Sequence, residues 1–282
     1  MKTFWWLIAA GFAVGCSSPE TRPAALLCDG GGCTGQSGGG GSPSGGTGNR
    51  LDAGGDAAVT SVSGVLGLYT GLPPGRSRVA AASGWTVQVA NFSAGTLDPD
   101  PGVFVDGTGS FRLPVTPIAE SLSDDSNRYY WLLATPPSTG GLRALFRVPE
   151  GTRAVTLNAA NDDTFQTALV TSSVAFDPSR GHIAVTFREA LLPDAQPVPN
   201  VLVDVEGQIV QPLYDNDIEA DQLQTIATGT GSRGFAFIPN VSVSGGDGVV
   251  TLRVTYGATT TSRAHRVRVR AQAVSWLTLL PI

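Results

Sequence analysis

Asp215, Asp217, Glu219 and Asp221, with Asn216 among them, form the densest set of oxygen donors in the sequence. Calcium is held by about six to eight such oxygens. The run lacks the glycine and closing glutamate of a helix-loop-helix calcium loop. It therefore reads either as a calcium site in a loop between strands or as a solvated acidic loop. Asp98, Asp100 and Asp106 repeat the theme more sparsely. A second set is Arg266, Arg268 and Arg270, alternating with Val267 and Val269. On a strand this spacing puts the three guanidinium groups on one face. They would meet either an anionic ligand, such as an acidic polysaccharide or lipid head group, or acidic side chains on neighbouring strands. Tyr129, Tyr130 and Trp131 form an aromatic triplet in which one strand face belongs to a core and the other can stack on a sugar. Trp85 and Trp276 are expected in the core.

Other chemistries find little support. His182 and His265 are the only histidines. They fall in no His-Glu-x-x-His pattern, and each is expected on a surface or between strands. There is no Gly-x-Ser-x-Gly elbow. Gly229-Thr230-Gly231-Ser232-Arg233-Gly234 matches G-x-G-x-x-G, but a dinucleotide loop must open a helix. Here it leads into Phe235-Ala236-Phe237-Ile238-Pro239, which reads as a strand, so a turn is expected. Cys28 and Cys33 bracket Asp-Gly-Gly-Gly and can pair in an oxidising compartment. Two cysteines fall short of the four ligands of a structural zinc. No cofactor is expected, with calcium the one candidate.

The elements that would position these residues are mostly strands. Short runs rich in Val, Thr, Leu, Phe and Tyr recur between Gly, Pro, Asn and Asp. Strands are expected at 59–68, 85–92, 109–115, 129–134, 142–148 and 154–158. A second set falls at 182–187, 201–205, 224–228, 234–238, 249–256, 264–270 and 274–280. One helix is expected from Asp162 to about Thr171, capped by Asp162 or Asp163, with Phe165 and Leu169 on one face.

The two strand sets read as copies. Gly107-Thr108-Gly109-Ser110 recurs as Gly229-Thr230-Gly231-Ser232 and Ala154-Val155-Thr156-Leu157 resembles Trp276-Leu277-Thr278-Leu279, both at an offset of 122. Each Gly-Thr-Gly-Ser precedes an aromatic strand that meets a proline. The expectation is all-β: two tandem antiparallel β-sandwich domains at 58–160 and 181–282, joined by a helical linker at 161–180. About 100 residues suffice for one sandwich core.

In the second copy, Gly181-His182-Ile183-Ala184-Val185-Thr186-Phe187, then Gln196-Pro197-Val198-Pro199-Asn200-Val201, then Thr228-Gly229-Thr230-Gly231-Ser232-Arg233-Gly234-Phe235, resemble the carboxypeptidase regulatory-like, or transthyretin-like, β-sandwich family. The resemblance implies an accessory or binding module without shared catalytic residues, and neighbouring Ig-like families stay open. It is weaker in the first copy, where Leu72-Pro73-Pro74-Gly75 and a longer insertion replace the short connection.

At the other end of the chain, Lys2 is followed by an apolar run from Phe4 to Val14 and then Gly15-Cys16. The run is shorter than the roughly 20 residues a membrane-spanning helix needs. A basic start, a short apolar stretch and small residues describe an export signal. Ala13-Val14-Gly15-Cys16 resembles a lipobox, with Ala13 where leucine is usual. The resemblance implies a signal peptide at 1–15 and acylation of Cys16. Ser17 and Ser18 resemble the outer-membrane default. Residues 16–57, with Gly38 to Gly46 at their centre, are expected to form a disordered Gly/Ser-rich tether, whose root-mean-square reach is roughly 35 Å.

Net charge −5 argues against a nucleic-acid partner. The expected function is a non-enzymatic cell-envelope lipoprotein, anchored at the outer membrane and facing the periplasm or the cell surface. Its sandwiches would serve structural or binding roles toward envelope proteins or polysaccharide. The alternative is a glycan-active or other envelope enzyme, or its accessory subunit, with a site in the acidic loops.

Overall fold

The computed structural model describes residues 60–281 apart from 75–78, 91, 93–101, 116–128, 150, 171, 173, 192–194, 216–221, 226–228, 245–246 and 258–260. The first stretch holds β1 (Thr60–Tyr69), β2 (Val79–Ala81), β3 (Thr86–Val89), β4 (Val103–Phe104), β5 (Ser110–Val115), β6 (Tyr129–Thr135), β7 (Arg143–Pro149) and β8 (Ala154–Ala159). Helix α1 (Asp162–Leu169) follows. The second stretch holds β9 (Gly181–Phe187), β10 (Val201–Val205), β11 (Leu213–Asp215), β12 (Leu223–Gln224), β13 (Phe235–Val241), β14 (Asp247–Tyr256), β15 (Thr261–Arg270) and β16 (Ala273–Leu279). Among the described residues the fold is all-β with one short helix, as the sequence predicts.

The same pairing scheme occurs twice. In the first stretch β1 lies antiparallel to β5 and parallel to β8, while β3, β6 and β7 run antiparallel in a second sheet. In the second, β9 lies antiparallel to β13 and parallel to β16, while β10, β14 and β15 form the other sheet. Most pairings are thus antiparallel. The parallel ones arise because the last strand of each repeat returns to lie beside the first.

The repeats are also joined by main-chain pairing. β16 lies between β9 and β7, parallel to both. This fuses one sheet of each repeat into a nine-stranded sheet, ordered β12-β11-β13-β9-β16-β7-β6-β3-β4. The sheet made by β1, β2, β5 and β8 covers one face of it and the sheet made by β10, β14 and β15 covers the other, giving three β layers.

Period-two alternation sorts side chains between the two resulting cores. On β6, Tyr130, Leu132 and Ala134 enter one core and Trp131 and Leu133 the other. On β13, Phe235 and Phe237 enter the first core and Ala236 and Ile238 the second. A strand buried on both faces has no polar side to show, which is why these runs are continuously apolar. The Tyr129-Tyr130-Trp131 triplet accordingly offers no sugar platform. Tyr130 and Trp131 are buried in opposite cores, and Arg147 lies over the Tyr129 ring at 4.4 Å.

Helix α1 covers the part of the central sheet that the first repeat does not reach. The Phe165 ring stacks on Phe237 at 4.9 Å and approaches Trp276 at 6.1 Å. Its cap is Asn161, whose Oδ1 accepts from Thr164 N at 2.9 Å, rather than the expected Asp162 or Asp163. Those two acids occupy the first turn instead, where the helix dipole favours them.

Candidate functional site

Asp215 ends β11 and is fully buried. A buried carboxylate must be hydrogen-bonded to be tolerated. Its Oδ1 accepts from Gly231 N at 3.0 Å and Phe235 N at 2.9 Å, and its Oδ2 accepts from Arg233 N at 2.8 Å. The carboxylate thus organises the turn of the G-x-G-x-x-G sequence, and strand β13 follows that turn, as expected. Gly229 opens it at φ +91°, and an added Cβ would sit 2.3 Å from the Val201 carbonyl oxygen. Thr230 Oγ1 donates to Val198 O and accepts from Val201 N, both at 3.0 Å, tying the turn to β10.

The first repeat builds its Gly-Thr-Gly-Ser turn differently. Asp106 Oδ1 accepts from Thr108 Oγ1 at 2.7 Å, Thr108 N at 2.8 Å and Ser110 N at 2.9 Å. Chiefly the Thr108 hydroxyl, helped by those main-chain donors, holds the Asp106 carboxyl below the usual aspartate range. Of the expected acidic loops, then, Asp215 and Asp106 have carboxylates occupied by their own turns. Asp217, Glu219, Asp221, Asp98 and Asp100 lie outside the described residues, as do Cys16, Cys28 and Cys33. Among the described residues no group of three His, Cys, Asp or Glu gathers. No described helix is long and apolar enough to cross a membrane.

His182 lies wholly buried on β9, between the rings of Phe176 at 4.7 Å and Phe237 at 5.9 Å. Its Nδ1 accepts from Asn240 N at 3.1 Å. Burial among the rings lowers its pKa to about 4, against a smaller upward pull from Asp177. The imidazole is therefore neutral at pH 7 and carries its proton on Nε2. His265 is buried too. Neither histidine stands on a surface, because each occupies a position of its strand that faces a core.

The arginine stripe forms with the expected alternation, Val267 and Val269 being buried. Two of its guanidinium groups turn to an aromatic ring, however. Arg268 and Arg270 lie 4.6 and 5.1 Å from the centre of Phe92, which meets Trp131 edge-on at 6.4 Å. Cation–π contacts of this kind are worth about 0.5–2 kcal/mol. They bind the second repeat's hairpin to the first repeat's β6. Arg266 is half-buried.

A cleft of about 260 Å³ opens between Trp85, Leu142 and the start of α1. Sequence reasoning did not find it, since no motif marks it. Its polar groups serve the fold: Asp162 Oδ1 accepts from Leu142 N at 2.9 Å, and Asn161 caps the helix.

No protein-family profile and no curated protein matches the chain. Among solved structures, the N-terminal four Ig domains of Dscam1 isoforms 4.4 and 4.44 align over 79% of this chain, each at 14% identity and a TM-score of 0.12. The chain spans about half their length, 51% and 52%. At that TM-score the β-sandwich assignment rests on the strand pairing and the two cores alone.

Proposed function

We propose that the protein is a non-enzymatic cell-envelope lipoprotein, held by acylated Cys16 at the outer membrane and presenting two fused β-sandwiches on a Gly-rich tether. The observation that carries the anchoring is the short apolar leader ending in Ala13-Val14-Gly15-Cys16. The non-enzymatic part is supported by where the reactive side chains go. Asp215 holds three main-chain amides, His182 is sealed between phenylalanines, and two of the three stripe arginines lie over Phe92. Among the described residues, what this leaves for function is surface, suited to structural or binding roles toward envelope polymers or proteins.

Two measurements test this. Cys16→Ser is expected to move the folded protein from the membrane fraction to the soluble one, and retention in the membrane would refute the anchoring. The Cys16→Ser chain incubated with peptidoglycan and acidic glycans is expected to show no turnover, and product release would instead favour the envelope enzyme.

A further inference from the structure

The junction between the repeats is a strand pairing that the architecture can repeat between molecules. β7 and β15 hold the same place: each is the second strand of its hairpin and the last strand its own repeat adds to that sheet. β7 continues into β16, with Arg143 N donating to Gln272 O at 3.0 Å. β15 ends its sheet. Its outward phase follows from β14. Glu206 N donates to Thr251 O, so Thr251 turns toward β10 and Leu252 toward β15. Ladder partners then place the main-chain groups of Ser262, Ala264 and Arg266 on the outer edge. The Ser275 hydroxyl, donating to Arg268 O from outside the ladder, fixes the same phase.

β8 and β16 are likewise counterparts, each parallel to the first strand of its repeat. β16 has β7 on its far side, whereas among the described residues β8 ends its sheet. Ser63 N donates to Arg153 O, so Arg153 and Val155 turn to β1 and Ala154, Thr156 and Asn158 turn outward. Ala154 and Thr156 are exposed.

We propose that the chain binds a second copy of itself head to tail, with β15 of one copy lying parallel beside β8 of the next. The contact would repeat between molecules the pairing that β7 and β16 make within one. It is heterologous: each addition leaves a β8 edge at one end and a β15 edge at the other, so growth yields a linear filament. Arginines on an edge strand usually discourage pairing. β7 shows how this repeat accommodates them. Arg143 Nη2 donates to Ala271 O at 2.9 Å across the junction, and Arg147 lies flat over Tyr129. On β15, Arg268 is stacked on Phe92 in the same manner.

The test uses the full chain carrying Cys16→Ser, in non-ionic detergent under reducing conditions, followed by sedimentation velocity and negative-stain microscopy. The parent is expected to grow into linear oligomers as concentration rises. Thr156→Pro and Ala264→Pro remove one outward N–H each without touching the inner ladder. Each variant alone is expected to stay monomeric where the parent is several copies long. An equal mixture is expected to give one-to-one pairs and nothing longer, since each variant retains one working edge. Circular dichroism reports folding, and Thr156→Lys with Ala264→Lys replaces any proline variant that does not fold. A parent that stays monomeric or stops at a closed dimer overturns the proposal, as does undiminished assembly of the folded variants.

Discussion

β1 and β9 open the two repeats and share two pairings, antiparallel to β5 or β13 and parallel to β8 or β16, yet they live in different surroundings. β1 keeps one wet face, with Ser63 and Val65 exposed, while Val62 and Leu66 enter the core. β9 is buried along almost its whole length, because its second face lies under Phe176 and α1. One topology therefore serves as an outer layer in one copy and as a central layer in the other. The two Gly-Thr-Gly-Ser turns diverge in the same way. In the first the third residue, Gly109, takes the positive φ, and a Cβ on Gly107 would meet nothing. In the second the first residue, Gly229, takes it, against the Val201 carbonyl. Four identical letters fold around a carboxylate in both places, but one is local and exposed and the other is brought in by β11 and buried.

The largest expected contrast is between those carboxylates. Asp215→Ala leaves three main-chain N–H groups without their acceptor and should cost about 3–5 kcal/mol in urea unfolding, since each orphaned donor costs about 1–3 kcal/mol. Asp106→Ala, where water replaces the carboxylate, should leave the unfolding midpoint near that of the parent. Comparable losses would break the comparison. Next come the glycines. Gly229→Ala forces an L residue to a left-handed φ, worth about 1–2 kcal/mol, and adds a clash with backbone. Gly107→Ala should be silent in the same urea unfolding.

His182 has no counterpart on the wet face of β1, and it makes the second repeat acid-sensitive. Its folded pKa lies below the unfolded value, so below pH 6.5 the unfolded chain takes up a proton that the folded chain refuses. The stability it contributes is fully present above pH 6.5 and drains away as pH falls toward about 4, amounting to about 3 kcal/mol at most. His182→Asn keeps an acceptor for Asn240 N and removes the titration. Its stability should fall less between those pH values than the parent's, and parallel curves would assign the acid loss elsewhere. The smallest expected effect is that of calcium. With Asp215 bound to its own turn, millimolar calcium should leave the melting temperature of the Cys16→Ser chain unchanged, and a rise would return the acidic loop to consideration as a site.

The longer strands, the helix and the repeats were legible because alternation and the paired Gly-Thr-Gly-Ser turns are local signals. The short strands β2, β4 and β11 were not, since two or three residues carry no period, and β12 was met only at Gln224 by the expected 224–228. The partners of Asp215 were not legible for a related reason: a carboxylate seen beside other acids in sequence faces three amides lying 16 to 20 residues further along the chain. Nor does anything local in Ala273-Val274-Ser275 announce that one edge will meet the first repeat. That edge is visible only as the continuous burial of a strand with sheet on both sides.

β16 occupies the middle position of the nine-stranded sheet, although it follows every other described strand in the chain. Its contact with Arg143 closes a span of 130 residues, so the sheet assembles across one of the longest separations in the chain, a slow step for a β topology. Until Ala273–Leu279 arrives, β7 and β9 each present an unsatisfied edge. Cutting the chain before Ala273 would remove the keystone of the arch.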